Sequence, residues 1–240
     1  MVKNRKKCSL CKEPMARWLY GEPNYDVLKE PLRKKEIVLG GCCLSNLSPK
    51  WACLNCGFSY RIDGIGVLDH ELIDQIQDNN LYFQYLEDDV EPISEQTYDL
   101  PSKINHLLND DFLVKESSKK SVGFHFHEGG YSANHDDIRY LDGILIWNQY
   151  ESTFDHLKSN FEKQVPQSVY ILPPKIKKEL NAFISTSKWK KNYFQPILDG
   201  KQWGMKRLID KNVKTSYGSN DYPDVYLKFF EIIKGIKIMF

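Results

Sequence analysis

An α+β fold is predicted by three observations. Two Cys-x2-Cys pairs, Cys8/Cys11 and Cys53/Cys56, bracket the first 60 residues. Beyond residue 120, short alternating segments are joined by turn signals such as Asp142-Gly143. Two apolar stripes at helical spacing follow those segments, one near Ile176–Ile184 and one near Tyr226–Ile236. The order strands, helix, strands, helix implies hairpins, and therefore an antiparallel sheet with the helices packed on one face.

Residues 1–62 hold both cysteine pairs, separated by 41 residues that include the strand-like run Glu36–Gly41. Two residues between cysteines let both sulfurs reach one ion from a tight turn, and two such turns supply a tetrahedral Zn²⁺ site. Gly57, after the last cysteine, allows the positive φ such a turn needs. The stretch is therefore expected to be a zinc ribbon with ligands Cys8, Cys11, Cys53 and Cys56. Cys42 and Cys43 are candidates to replace one ligand, but adjacent strand residues face opposite ways and cannot easily both reach one ion. Four thiolates saturate the metal, so the site is read as structural and not catalytic.

Residues 63–120 form an acidic, partly helical connection. Leu68, Leu72, Ile73 and Ile76 have helical spacing with Asp69 as a cap. A second helix is expected from Pro101, with Ile104, Leu107 and Leu108 on one side and Asp99 or Ser102 as caps. Glu87–Pro92 reads as loop.

Residues 121–240 form the α+β module. Val122–His127 alternates as a half-buried strand does and Gly129-Gly130 is expected to end it. Ile138–Tyr150 is a hairpin about Asp142-Gly143. Pro173-Pro174 opens a helix carrying Ile176, Leu180, Phe183 and Ile184. Asp199-Gly200 is a turn, and Trp203–Ile209 pairs with Val213–Tyr217 through Asp210–Asn212. Gly218–Asn220 breaks that pair. A last helix from Pro223 carries Tyr226, Phe229, Phe230, Ile233 and Ile236.

Composition limits the function classes. The chain has 240 residues, 41% of them hydrophobic, enough for a real core. No apolar run approaches the roughly 20 residues of a membrane span. The basic start is not followed by an apolar stretch, so a cytoplasmic protein with no membrane partner is expected. Six cysteines are too few for a disulfide scaffold, which favours metal ligation in a reducing compartment. The net charge of +1 divides unevenly: residues 1–60 carry 11 basic against 5 acidic side chains, and residues 61–120 carry 5 against 14. That acidic stretch competes with any polyanion for the basic head.

Cys8-x2-Cys11, then Val38-Leu39-Gly40-Gly41-Cys42, then Ser48-Pro49-Lys50-Trp51-x-Cys53-x2-Cys56-Gly57 resembles the N-terminal zinc ribbon of a group of uncharacterised bacterial proteins. The resemblance implies the same four ligands and leaves Cys42 outside the set. Gly129-Gly130-Tyr131, Trp189, Asp199-Gly200-x-x-Trp203 and Gly218-Ser219-Asn220-x-Tyr222-Pro223 is similar to a small α+β module of other uncharacterised bacterial proteins. Neither group implies a reaction.

Other residues are candidate sites. His125 and His127 share a strand face and could hold a second metal with His135, Asp136 or Asp137. Trp189, Trp203, Tyr217 and Tyr222 could line a recognition groove or anchor a core. Gly218–Asn220 could offer amides to an anion but lacks a fuller phosphate-loop pattern. Three functions follow: a non-enzymatic zinc-binding adaptor with a protein partner; a nucleic-acid binder using Lys3, Arg5, Lys6, Lys7, Lys12 and Arg17 with Trp18 and Tyr20; and a metal-dependent hydrolase using His125 and His127. The closed thiolate site and the lack of a catalytic constellation favour the first.

Overall fold

The computed structural model describes residues 5–22, 24–40, 48–77, 100–117, 119–130, 133–150, 168–195 and 201–238. The expectations for Lys3, Cys42, Cys43, Glu87–Pro92, Asp99 and Asp199-Gly200 lie outside the described residues. The chain divides into two compact units, Met1–Pro101 and Ser102–Phe240, where the sequence reading places its boundaries after residues 62 and 120.

The first unit contains β1 (Ala16–Leu19), α1 (Tyr25–Arg33), β2 (Ile37–Leu39), β3 (Trp51–Cys53), β4 (Phe58–Tyr60), β5 (Gly66–Leu68) and α2 (His70–Gln77). Its strands lie in the order β5-β4-β3-β1-β2. All neighbours are antiparallel except β1 and β2, which run parallel through Arg17↔Ile37, Trp18↔Val38 and Leu19↔Leu39. Parallel neighbours need a crossover, and α1 supplies it. The sequence reading placed no helix here. Pro31 lies inside α1, a residue that argues against a helix interior, yet Asn24 caps the start by accepting from the Asp26 amide at 3.1 Å. Trp18, Val38, Ala16, Ala52 and Leu72 form a buried cluster that seats α2 on the sheet. Asp69 caps α2 as expected, accepting from the Leu72 amide at 3.0 Å.

The second unit contains α3 (Ser102–Leu107), α4 (Phe112–Glu116), β6 (Gly123–Gly130), β7 (Ala133–Leu141), β8 (Ile144–Tyr150), β9 (Ser168–Ile171), α5 (Pro174–Thr186), β10 (Asn192–Phe194), β11 (Gln202–Ile209), β12 (Asn212–Ser219) and α6 (Asp224–Ile238). The strand order is β10-β12-β11-β6-β7-β8-β9. Every pair is antiparallel except β10 and β12, so the sheet is mixed rather than purely antiparallel. The short edge strand β10 accounts for the difference. Gly129-Gly130 ends β6 as expected, and the register with β7 shifts between Glu128 and Gly130. The hairpin at Asp142-Gly143 forms as expected, both residues having positive φ (48° and 100°), as a type I′ turn requires.

Strand alternation assigns the helices to faces. Phe124 and Phe126 of β6 pack against Phe229 of α6, with ring centroids 5.1 and 5.3 Å apart. Tyr140, stacked on Phe124, donates to Asn181 of α5 at 2.5 Å. On the opposite face, Phe112 of α4 meets His125. Arg139 donates there to the carbonyls of Leu107 and Leu108 at the end of α3, at 3.2 and 2.7 Å. Thus α5 and α6 share one face, and α3 and α4 take the other. The two helices expected within residues 121–240, α5 and α6, are the ones that share a face; α3 and α4 precede that module and dock where the half-buried Arg139 answers the last carbonyls of α3.

Candidate metal centre

Each Cys-x2-Cys pair sits in a tight turn closed by backbone hydrogen bonds. The first turn is framed by the Lys7↔Pro14 bridge and by the Cys8 amide donating to the Glu13 carbonyl at 2.8 Å. The second joins β3 to β4, with Cys53 opposite Phe58. The amide of Lys12 donates to the Cys8 carbonyl and that of Gly57 to the Cys53 carbonyl, at 3.1 and 3.0 Å. Gly57 has φ 67°, as its place in the sequence predicts, and Lys12 has φ 70° without being glycine.

The two turns face each other across the site. Ligand atoms of Cys8, Cys11, Cys53 and Cys56 all lie within 4.8 Å of one another. Cys8 Sγ is 3.6 Å from Cys56 Sγ, and Cys11 Sγ is 3.4 Å from Cys53 Sγ. Four sulfurs about 2.3 Å from a tetrahedral Zn²⁺ stand roughly 3.8 Å apart, so the arrangement fits that ion with small adjustments. Cys8, Cys53 and Cys56 are buried, and Cys11 is half-buried. All four are free thiols with no disulfide between them.

Neighbouring groups favour negative charge here. Tyr60 Oη lies 2.9 Å from Cys8 Sγ, placed to donate to a thiolate, and Ser9 Oγ donates to Tyr60 Oη at 3.1 Å. The Leu10 amide points at Cys8 Sγ from 3.4 Å. Hydrogen bonds from Cys53 and Cys56 hold Cys8 far below the usual thiol range. Cys56, bonded to those same thiols and buried, is pushed far above it. For Cys53 the bond with Cys56 is outweighed by the bond with Cys8 and by burial, and it is pushed up to about 12. A divalent cation is what lets four thiolates coexist at this spacing. Sequence reasoning missed Tyr60 and Ser9. Tyr60 reads as one more core residue of β4, all three of whose residues are buried.

A hydrogen-bonded chain ties the centre to the unit's core. Trp18 Nε1 donates to Ser59 Oγ at 3.1 Å, Ser59 donates to Asp69, and the Asp69 amide donates to the Gly57 carbonyl at 3.0 Å. Trp18 is therefore a core residue, 8% exposed, and Tyr20 stacks on it while donating to the Pro49 carbonyl. Neither is free to stack on a base, as the nucleic-acid reading of the basic head required. Lys6 lies over the Trp51 ring at 5.8 Å, and Arg5 donates to the Lys35 carbonyl.

Among the described residues, the four cysteines are the only group of three or more His, Cys, Asp or Glu with ligand atoms this close. His125 Nε2 is 3.3 Å from Asp137, but both oxygens of Asp137 also accept from Arg139, at 2.8 and 3.1 Å. Asp136 belongs to the opposite face, where it accepts from Trp147 and Gln149. His135 lies against Gly129, where a Cβ would come within 1.9 Å of the imidazole.

The four aromatics singled out in the sequence divide in two. Trp203 is 2% exposed and packs on Tyr226, Trp189 and Tyr193, and Tyr222 packs on Tyr226. Tyr217 is 47% exposed on the other face. Gly218 offers no anion site: it pairs with Trp203, whose indole fills the space a Cβ would need, and the Asn220 amide donates to the Lys201 carbonyl.

No protein-family model matches the chain, and no curated protein matches it either.

Proposed function

We propose that the protein is a zinc-binding, non-enzymatic binding protein in which the metal is structural. The observation that carries this reading is the convergence of Cys8, Cys11, Cys53 and Cys56 from two like turns, with all ligand atoms within 4.8 Å. Four thiolates leave no position for water or substrate, so the ion stabilises and does not catalyse. Its binding free energy, on the order of 10 kcal/mol, becomes folding free energy for the first unit. The second unit then acts through its surface. Buried free thiols suit a reducing compartment such as the cytoplasm. Among the described residues no helix is long and apolar enough to cross a membrane.

Metal analysis of protein purified under reducing conditions tests the reading. It expects one zinc per chain, and loss of zinc with partial unfolding for Cys53→Ser. A metal-free, fully folded protein would contradict it. The alternatives have less support. Nucleic-acid binding by the basic head loses Trp18 and Tyr20 to the core, and a hydrolase built on His125 and His127 loses Asp137 to Arg139.

A further inference from the structure

Among the described residues of the second unit, part of the sheet's α3/α4 face is exposed. Along one row, Tyr217 of β12 pairs with Gly204 of β11, and Gly204 pairs with His127 of β6. Side chains of one row share a face, and both Tyr217 and His127 are exposed. Gly204 leaves room between them: a Cβ there would meet the His127 imidazole at 2.3 Å unless the ring moved. Phe194 belongs to the same face: β10 pairs Asn192 with Tyr217 and Phe194 with Ser219, while the intervening Tyr193 turns inward to Trp203. Phe194 is 71% exposed. Phe194 and Tyr217 are thus diagonal neighbours on adjacent strands, roughly 7–8 Å apart at the backbone.

Charge surrounds these rings. Lys206 is exposed on the same face, two residues from Gly204. The exposed Lys188, Lys190 and Lys191 lead into β10. Of the other basic side chains nearby, Lys201 and Arg207 lie toward the opposite face, at Glu128 and over Trp189. Polar side chains share the row of each ring, Asn192 with Tyr217 and Ser219 with Phe194, which does not suit a continuous apolar protein interface. Separate ring faces under a positive field suit stacked bases joined by phosphates. Thr215, paired with Lys206, and Gln202, paired with Ser219, add uncharged hydrogen-bonding groups able to meet a 2′-hydroxyl.

We propose that this face binds single-stranded RNA, the bases stacking on Tyr217 and Phe194 and the phosphates meeting Lys206 and the lysines before β10. The assignment supplies the partner for the binding role proposed above and rests on that reading.

Fluorescence anisotropy of intact, zinc-loaded protein with a fluorescein-labelled mixed-sequence 15-nucleotide RNA tests it. The expected result is saturable binding that weakens as salt rises, and weaker binding to the RNA duplex and to DNA of the same sequence. Tyr217→Ala and Phe194→Ala should each weaken binding by about 5-fold or more. Lys206→Gln should weaken it and lower the salt slope by about 1. Leu227→Ala, at an exposed apolar position on α6, should change nothing. Circular dichroism melting and zinc content of the same samples separate lost folding or lost metal from lost RNA contact. Absence of RNA binding by folded, zinc-loaded protein would overturn the proposal. So would binding unmoved by Tyr217→Ala and Phe194→Ala, tighter binding to duplex or DNA, or binding lost only in Lys6→Gln/Lys12→Gln.

Discussion

Lys12 and Gly57 occupy equivalent places in the two cysteine turns. Each has positive φ, 70° and 67°, and each donates its amide to the carbonyl of the first cysteine of its pair. The left-handed conformation costs a side-chain-bearing residue roughly 1–2 kcal/mol, whereas glycine adopts it freely. Gly57→Val should therefore destabilise zinc-loaded protein by about 1–2 kcal/mol in urea unfolding. Lys12→Gly should not destabilise it.

Tyr60 acts on the centre through Cys8 and not through the metal. Its hydroxyl, 2.9 Å from Cys8 Sγ, is oriented by Ser9. Tyr60→Phe keeps the ring packed against Phe58 and removes only the donor to the thiolate. Outer hydrogen bonds of this kind are worth about 10–100-fold in metal affinity. Competition with a chromophoric chelator should show a loss in that range, with the folded spectrum unchanged.

Asp137 gives the second unit a pH dependence. Burial opposes its ionisation, but hydrogen bonds from His125 and Arg139 prevail and hold its pKa at about 2. An unfolded aspartate titrates near 3.9. Its stabilisation, on the order of 2 kcal/mol, is therefore full above about pH 4 and lost as the pH falls through about 2. Wild type and Asp137→Asn should differ by about that amount in urea unfolding near pH 7, and the difference should shrink between pH 4 and 2.

The turn at Asp210-Lys211 repeats the geometry of Asp142-Gly143, with φ 48° and 66°. Ile209 pairs with Asn212, so the loop has two residues and the second would be better as glycine. Lys211→Gly should raise stability by about 0.5–1 kcal/mol, read as a rise in Tm.

The same two turns show what the sequence reveals and what it hides. Asp142-Gly143 announces a two-residue hairpin, whereas Asp210-Lys211 gives no glycine signal, and the loop reads one residue too long. The cysteine turns are legible because ligand type and spacing are set by the ion. Asp69 and the α5 and α6 stripes are legible because caps and helical periodicity are local. Helix α1 is hidden by Pro31, and the parallel pairing of β1 with β2 depends on that helix. The parallel edge strand β10 is three residues long, too short to show alternation. The docking of α3 and α4 opposite α5 rests on Arg139 reaching Leu107 and Leu108, 31 to 32 residues away, which no local pattern records. At the centre, Tyr60 was invisible as a partner because it reads as one more core residue of β4.

The central claim is a single zinc ion held by four thiolates. X-ray absorption at the zinc edge on purified protein measures it most directly. The account predicts one equivalent of zinc with four sulfur neighbours at about 2.3 Å and no nitrogen or oxygen ligand. Mixed sulfur and nitrogen or oxygen coordination, or protein that folds fully with no bound zinc, would contradict it.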